Sequence, residues 1–232
     1  MRAAVLKTVL VPIASDGWPF IGGLAILSLF TLWLFEPLGW AVVLSTLWCT
    51  YFFRDPDRVV PIRPGLIVSP ADGVVQAITR ATPPAELGMG MHARPRISIF
   101  LNIFDVHVNR VPLAGTVTRI AYNKGKFVNA GLDKASLDNE RNGVRLLLED
   151  GRDLAFVQIA GLIARRIVCR LKEGEMVRTG ERFGMIRFGS RADVYLPDGI
   201  APLVAVGQRA IAGETVLADL NLTEPPRLGE IR

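Results

Sequence analysis

Across 232 residues, half of them hydrophobic, the formal net charge is +5 and the pI lies near 9.6. That length suits one sizeable domain plus a small appendage, and the basic balance favours an anionic partner. Two histidines exclude a multi-histidine metal site, and basic residues scattered without a block or interleaved aromatics exclude a nucleic-acid groove.

From Trp18 to Phe53 the chain carries one charge, Glu36. Trp18–Phe35 has the length of a membrane-crossing helix, and Leu38–Phe53 is a second, slightly shorter apolar run. Glu36-Pro37-Leu38-Gly39 is predicted as the turn of a helical hairpin, although the shorter run also fits a re-entrant or interfacial helix. Trp18, Trp33, Trp40, Trp48 and Tyr51 include several near run ends, where interfacial aromatics sit. Arg2 and Lys7 precede the pair, and Arg54, Arg58 and Arg63 follow it, so both flanks point to the cytoplasm. Residues 1–53 are therefore expected to anchor a domain, 54–232, on the cytoplasmic face of an anionic cell membrane. A helical pair buried in a soluble core is the competing reading. Cys49 lies in the leader and Cys169 in a predicted strand, which fits two reduced thiols.

After Arg54 the pattern becomes short Val/Ile/Leu-rich runs punctuated by Gly and Pro. Strands are predicted at Leu66–Val68, Val74–Ile78, Arg96–Leu101, Gly115–Ala121, Val144–Leu148, Leu154–Ile159, Ile167–Leu171, Phe183–Arg187, Asp193–Leu196, Leu203–Val206 and Thr215–Leu220. Thr82–Arg94 reads as a flexible loop, Ala160–Arg165 as a turn or short helix, and Glu224–Arg227 as an extended tail. Recurring Gly–β-branched phrases suit a mainly β fold, a compact sandwich or barrel. They resemble the biotinyl/lipoyl-like hybrid barrel, which carries no function by itself.

One constellation offers chemistry: Asp72 in a turn, His107, and Ser190 directly after Gly189. Such a trio can supply a nucleophile, a base and a group that orients the base. Each residue also has a plain reading, as turn Asp, packed core His or turn Ser. His92, in the predicted loop, reads as a bystander. Asn129, Asn139, Glu140 and Arg141 belong to a polar segment, 125–141, that serves either as a surface loop or as a wall over a ligand.

Several stretches now combine: Phe52-Phe53-Arg54-Asp55-Pro56-Asp57-Arg58, Ser69-Pro70-Ala71-Asp72-Gly73, Phe100-Leu101 with Asp105-Val106-His107-Val108-Asn109-Arg110, Asn139-Glu140-Arg141, and Phe183 to Arg191. In this order they resemble the short, single-domain phosphatidylserine decarboxylases, from about Gly17 to about Pro197. The resemblance implies self-cleavage between Gly189 and Ser190 into chains 1–189 and 190–232, which stay together as a heterodimer; a homodimer of that unit is also compatible. It implies a pyruvoyl cofactor derived from Ser190, which takes phosphatidylserine as a Schiff base and yields phosphatidylethanolamine. His107 would deprotonate Ser190 with Asp72 holding His107, and His107 would later return a proton. A longer bacterial branch has two histidines three apart in this motif; here Arg110 stands at the second position. Arg110 then either grips a carboxylate or phosphate or makes a surface ion pair, and Asn129, Asn139 and Arg141 are further substrate-binding candidates. The alternative from another class is a non-catalytic, membrane-tethered binding module on the same barrel.

Overall fold

The computed structural model describes residues 11–125, 139–161, 166–187 and 190–222, with Pro225, Arg227 and Gly229. The chain divides into two compact units, Met1–Asp57 and Arg58–Arg232.

In the first unit a 3-10 turn, Ser15–Gly17, leads into helices α1 (Trp18–Leu34) and α2 (Glu36–Phe52). Both carry a proline in the first turn, where the missing N–H breaks no helical hydrogen bond. The break between them is one extended residue, Phe35, at φ −157 and ψ 101. Glu36–Gly39 is thus the first turn of α2, not the separate hairpin turn that the sequence suggests. The helices double back because Gly39 allows close approach: a Cβ there would lie 2.5 Å from the Leu32 Cα. The open end is closed by the Ala14 N–H donating to the Phe53 carbonyl at 2.8 Å and the Asp55 N–H donating to Pro12 at 2.7 Å. Ile26, Leu29, Trp33, Leu44 and Leu47 are exposed, unlike a pair buried in a soluble core. Ser15–Leu34 is long and apolar enough to cross a membrane. The 17 residues of α2 reach about 25 Å, short of a ~30 Å hydrocarbon core.

The second unit is antiparallel β structure. Its strands are β1 (Leu66–Val68), β2 (Gly73–Ala81), β3 (Arg94–Leu101), β4 (Val108–Arg110), β5 (Gly115–Asn123), β6 (Arg141–Leu147) and β7 (Asp153–Ala160). There follow β8 (Ile167–Cys169), β9 (Met176–Val177), β10 (Arg182–Ile186), β11 (Ser190–Tyr195), β12 (Arg209–Ala210) and β13 (Val216–Asp219). A curled eight-stranded sheet runs β12-β2-β3-β11-β7-β6-β5-β9, with small sheets β4-β10-β8 and β1-β13 beside it. Side chains alternate across a strand, so Ile97, Ile99 and Leu101 of β3, Ala192 and Val194 of β11, Leu154 and Phe156 of β7, and Val144 and Leu146 of β6 share the inner face. Ile67, Phe183 and Leu217 from the small sheets pack into the same core.

Three expectations change. Leu203–Val206 is bend and turn, because buried Leu203 and Val204 serve the core from a loop that Gly207, at φ +89, turns toward β12. Thr82–Arg94 is irregular for most of its length, but it contains a 3-10 turn, Ala85–Leu87, and its last residue opens β3. Leu87 and Met89 are buried there against Ala155, Val157, Ile159 and Tyr195. The short strands β4, β9 and β12 add pairings that the sequence pattern does not signal.

Candidate active site

At one end of the sheet the inner face turns from apolar to polar. Register places Ala192 opposite Gln158, and Gln158 opposite Asn142, in the row next to Ser190 and its partners Leu101 and Ala160. Gln158 Nε2 donates to Asn109 Oδ1 at 2.9 Å, and Asn142 Nδ2 donates to Gln158 Oε1 at 3.1 Å. Asn109 Nδ2 reaches toward the Pro70 carbonyl at 3.5 Å. All three amides are buried, so protein groups must satisfy them, and Gln158 Nε2 also donates to the Val168 carbonyl at 3.3 Å.

This relay leads to the two segments that carry the acids and the histidine. The Arg110 N–H donates to the same Pro70 carbonyl at 2.9 Å, which fastens β4 to the turn Ser69–Gly73. Gly73 makes that turn possible: at φ +155, a Cβ would lie 2.1 Å from the Phe100 carbonyl oxygen. Asp72 ends up nearly buried, its Oδ2 taking Arg58 Nη2 at 2.7 Å and its Oδ1 taking the Ala212 N–H at 2.8 Å. Burial pushes the Asp72 carboxyl above its ordinary value; the Ala212 N–H and Arg58 pull it down, and the neighbouring charge of Asp105 pushes it up.

His107 is fully buried at the entrance to β4. Its Nδ1 lies 2.9 Å from the main-chain carbonyl of Asp105. A carbonyl only accepts, so Nδ1 carries the proton and Nε2 is the basic nitrogen of the neutral ring. The Asp105 side chain is buried too: it accepts the Asn102 N–H at 2.9 Å and pairs with Arg209. Asp72 therefore does not hold His107 directly; its oxygens go to Arg58 and Ala212, and the Asp105 backbone orients the ring.

Ser190 opens β11, between β3 and β7, and is fully buried. Its Oγ has no hydrogen-bond partner among the described residues. An orphaned hydroxyl in a buried site signals function more than packing. The Ile186 N–H donates to the His107 carbonyl at 3.4 Å, so the strand that leads toward Ser190 runs alongside His107.

The remaining candidates separate. Asn139 Nδ2 donates at 2.7 Å to Ala160, the residue that pairs with Ser190. Arg141 falls on the opposite, outer face, in the row of Ile159 and Arg191, and binds Glu86 at 2.5 Å. Arg110 is buried and donates to the Gly180 carbonyl at 3.0 Å. His92 is exposed. Asn129 and Gly189 lie outside the described residues, as do most of the segment 125–141 and residues 162–165. Among the described residues no cluster of His, Cys, Asp and Glu could hold a metal.

The family model for phosphatidylserine decarboxylase matches residues 45–218. The phosphatidylserine decarboxylase proenzyme of Paramagnetospirillum magneticum is 59% identical over the whole of this chain and 96% of its own length. That of Cereibacter sphaeroides is 58% identical over all of both chains. That of Beijerinckia indica is 53% identical over 96% of this chain and 95% of its own. The chain belongs to the phosphatidylserine decarboxylase family.

Within this phosphatidylserine decarboxylase fold, six residues without an assigned site role in the sequence reading shape the site: Arg58, Asp105, Asn109, Asn142, Gln158 and Arg209. Asp105 and Asn109 sit beside His107 in sequence, a usable signal. Gln158 and Arg209 give none, since only long-range pairing brings them in.

Proposed function

We propose that the chain is a membrane-associated proenzyme that cuts itself at Gly189-Ser190 and then decarboxylates phosphatidylserine. The observation that carries this reading is the buried Ser190 hydroxyl, without a hydrogen-bond partner among the described residues, at the head of a central strand. Family membership and the proenzyme names of the relatives support it. Nε2 of His107 takes the Ser190 hydroxyl proton, Oγ attacks the Gly189 carbonyl, and the peptide bond becomes an ester as nitrogen departs. Loss of the Ser190 Cα proton then expels the Gly189 carboxylate and leaves dehydroalanine. Water adds, ammonia leaves, and residue 190 ends as a pyruvoyl group. Burial of Ser190 and His107 favours this route, because bulk water would hydrolyse the ester and return a plain serine terminus.

The residues present fit that group, whose carbonyl supplies the electron sink that decarboxylation of an amino acid requires. Leu101 and Ala160 hold residue 190 in the sheet from either side. His107 returns a proton at the site, its tautomer set by the Asp105 carbonyl. The two chains, 1–189 and 190–232, stay joined by sheet pairing: β11 lies between β3 and β7, β12 pairs with β2, and β13 with β1. The apolar helices hold the enzyme at the membrane, and the flanking Arg and Lys residues place it on the cytoplasmic face.

Intact-mass measurement of the purified protein tests this reading. The expected result is a fragment of residues 190–232 whose terminal ketone is reduced by borohydride, and a single uncut chain for Ser190→Ala. An active wild-type protein with one uncut mass would overturn it and favour the binding module.

A further inference from the structure

We infer that Ile167 and Ile186 form a dry wall beside residue 190, and that this wall decides how the ester between Gly189 and Ser190 ends. With the wall in place the ester eliminates toward the pyruvoyl group; without it, water returns a plain serine terminus. The inference deepens the self-cleavage reading and rests on it. Ala160, Ile167 and Ile186 pack as an apolar cluster of their own, outside the main core, and all three are buried.

Register places that cluster at Ser190. Residues directly opposite on neighbouring strands share a face, so Ala160, the β7 partner of Ser190, stands on the inner face with it. Leu101, the β3 partner, is fully buried on the same face. Ile167 of β8 lies opposite Ile186 of β10. The Val168 carbonyl accepts Gln158 Nε2 at 3.3 Å, which brings β8 to the end of β7 that carries Ala160. The Ile186 N–H donates to the His107 carbonyl at 3.4 Å, so the wall adjoins the histidine segment as well. The buried amides in the next row hydrogen-bond to one another and to Val168.

The ester has two exits. Removal of the Ser190 Cα proton forms the Cα=Cβ bond and breaks the Cβ–Oγ bond, and the electron pair leaves on the Gly189 carboxylate. Water attacking the Gly189 carbonyl carbon instead breaks the acyl–Oγ bond and returns the hydroxyl to Ser190. The new chain then starts with a serine amine, which is no electron sink. A buried water is held by about three polar partners, and apolar side chains offer none. Ala160, Leu101, Ile167 and Ile186 therefore disfavour the second exit while leaving proton removal by His107 untouched. Water is required only afterwards, when the Gly189 carboxylate has left and dehydroalanine is converted.

The experiment uses the full-length protein with Ile186→Thr, Ile167→Thr or Ile186→Val, and with Ile97→Thr in the main core as a control for general destabilisation. Intact mass of the 190–232 fragment gives the share of serine termini, which are heavier than pyruvoyl termini by the elements of ammonia. The expected result is a roughly tenfold rise in that share in both threonine variants of the wall. Recovery is expected in Ile186→Val, which restores an apolar wall, and no rise in Ile97→Thr. Unchanged shares in the wall variants, or an equal rise in Ile97→Thr, overturn the inference. Uncut chain in both wall variants also overturns it, by assigning the pair to folding. An uncut wild type fails the self-cleavage reading itself, whereas a cut wild type with unchanged shares in the variants fails this inference alone.

Discussion

The main chain of Asp105 and the ring of His107 form one device: the carbonyl fixes the imidazole tautomer at 2.9 Å while the carboxylate of the same residue is tied to Arg209. Arg209 thus acts on His107 through Asp105, from the part of the chain beyond Ser190. Replacing it leaves a buried carboxylate without its cation, a strongly unfavourable change. Arg209→Ala should slow self-cleavage at least about tenfold, with partial recovery in Arg209→Lys. A time course of chain conversion on gels checks this, and unchanged rates in Arg209→Ala would remove Arg209 from the device.

Asp72 predicts a pH effect of definite sign. Burial is the leading cause that raises its carboxyl from the ordinary value of 3.8. A raised folded-state value means a stabilising contribution that is full below the unfolded value and is lost as pH rises through the folded one. In an uncut Ser190→Ala background, wild-type Asp72 should therefore lose stability relative to Asp72→Asn as pH rises from the ordinary carboxylate value upward. Denaturant midpoints of the full chain in detergent measure the difference, and a gap constant over that range would contradict the assignment.

Gln158 joins Asn109 to Asn142, so Gln158→Leu takes one hydrogen-bond partner from each of two buried amides at once. The expected loss is about 2–4 kcal/mol of stability, from an unsatisfied-group cost of roughly 1–3 kcal/mol each. Cleavage should also slow, because Asn109 flanks the histidine segment. Denaturant unfolding of the variant tests the first claim, and a loss well under 1 kcal/mol (the order of an ordinary surface change) would refute it.

Gly73→Ala should be among the most damaging single-methyl changes in the chain. The added carbon meets the Phe100 main chain, which cannot swing aside as a side chain could. The residue after Phe100 is Leu101, the partner of Ser190. A loss above about 3 kcal/mol and uncut, poorly soluble chain are expected, and normal yield with normal cleavage would contradict the close approach.

Much of the β unit can be read directly because its core strands alternate: Ile97, Ile99 and Leu101 announce an inner face without help. The two-residue strands β9 and β12 cannot be read that way, since they exist only through partners far along the chain. Polar positions mislead in both directions. Gln158 and Asn142 stand on the inner face, and Arg191, Asp193 and Tyr195 occupy what alternation marks as a solvent face but lie buried. Arg191 Nε is 2.9 Å from Asp193 Oδ1, and Tyr195 packs with Leu87 and Met89 from the segment that reads as a flexible loop. Ser190 and His107 stand out by motif, whereas the partners of Asp72 do not, because Ala212 contributes only its backbone N–H.

The placement of Arg209, Ala212 and β13 also sets a timetable. These residues follow Ser190 in the chain, yet they supply partners of Asp105 and Asp72 and the strand beside β1. A ribosome emits the apolar helices well before these pieces. The helices can reach the bilayer while the acids around His107 still lack their counterparts, so the chemistry at Ser190 waits until residues 209–219 have been made. Premature termination shortly after residue 200 would leave a tethered polypeptide with every catalytic side chain present and no means of arming them.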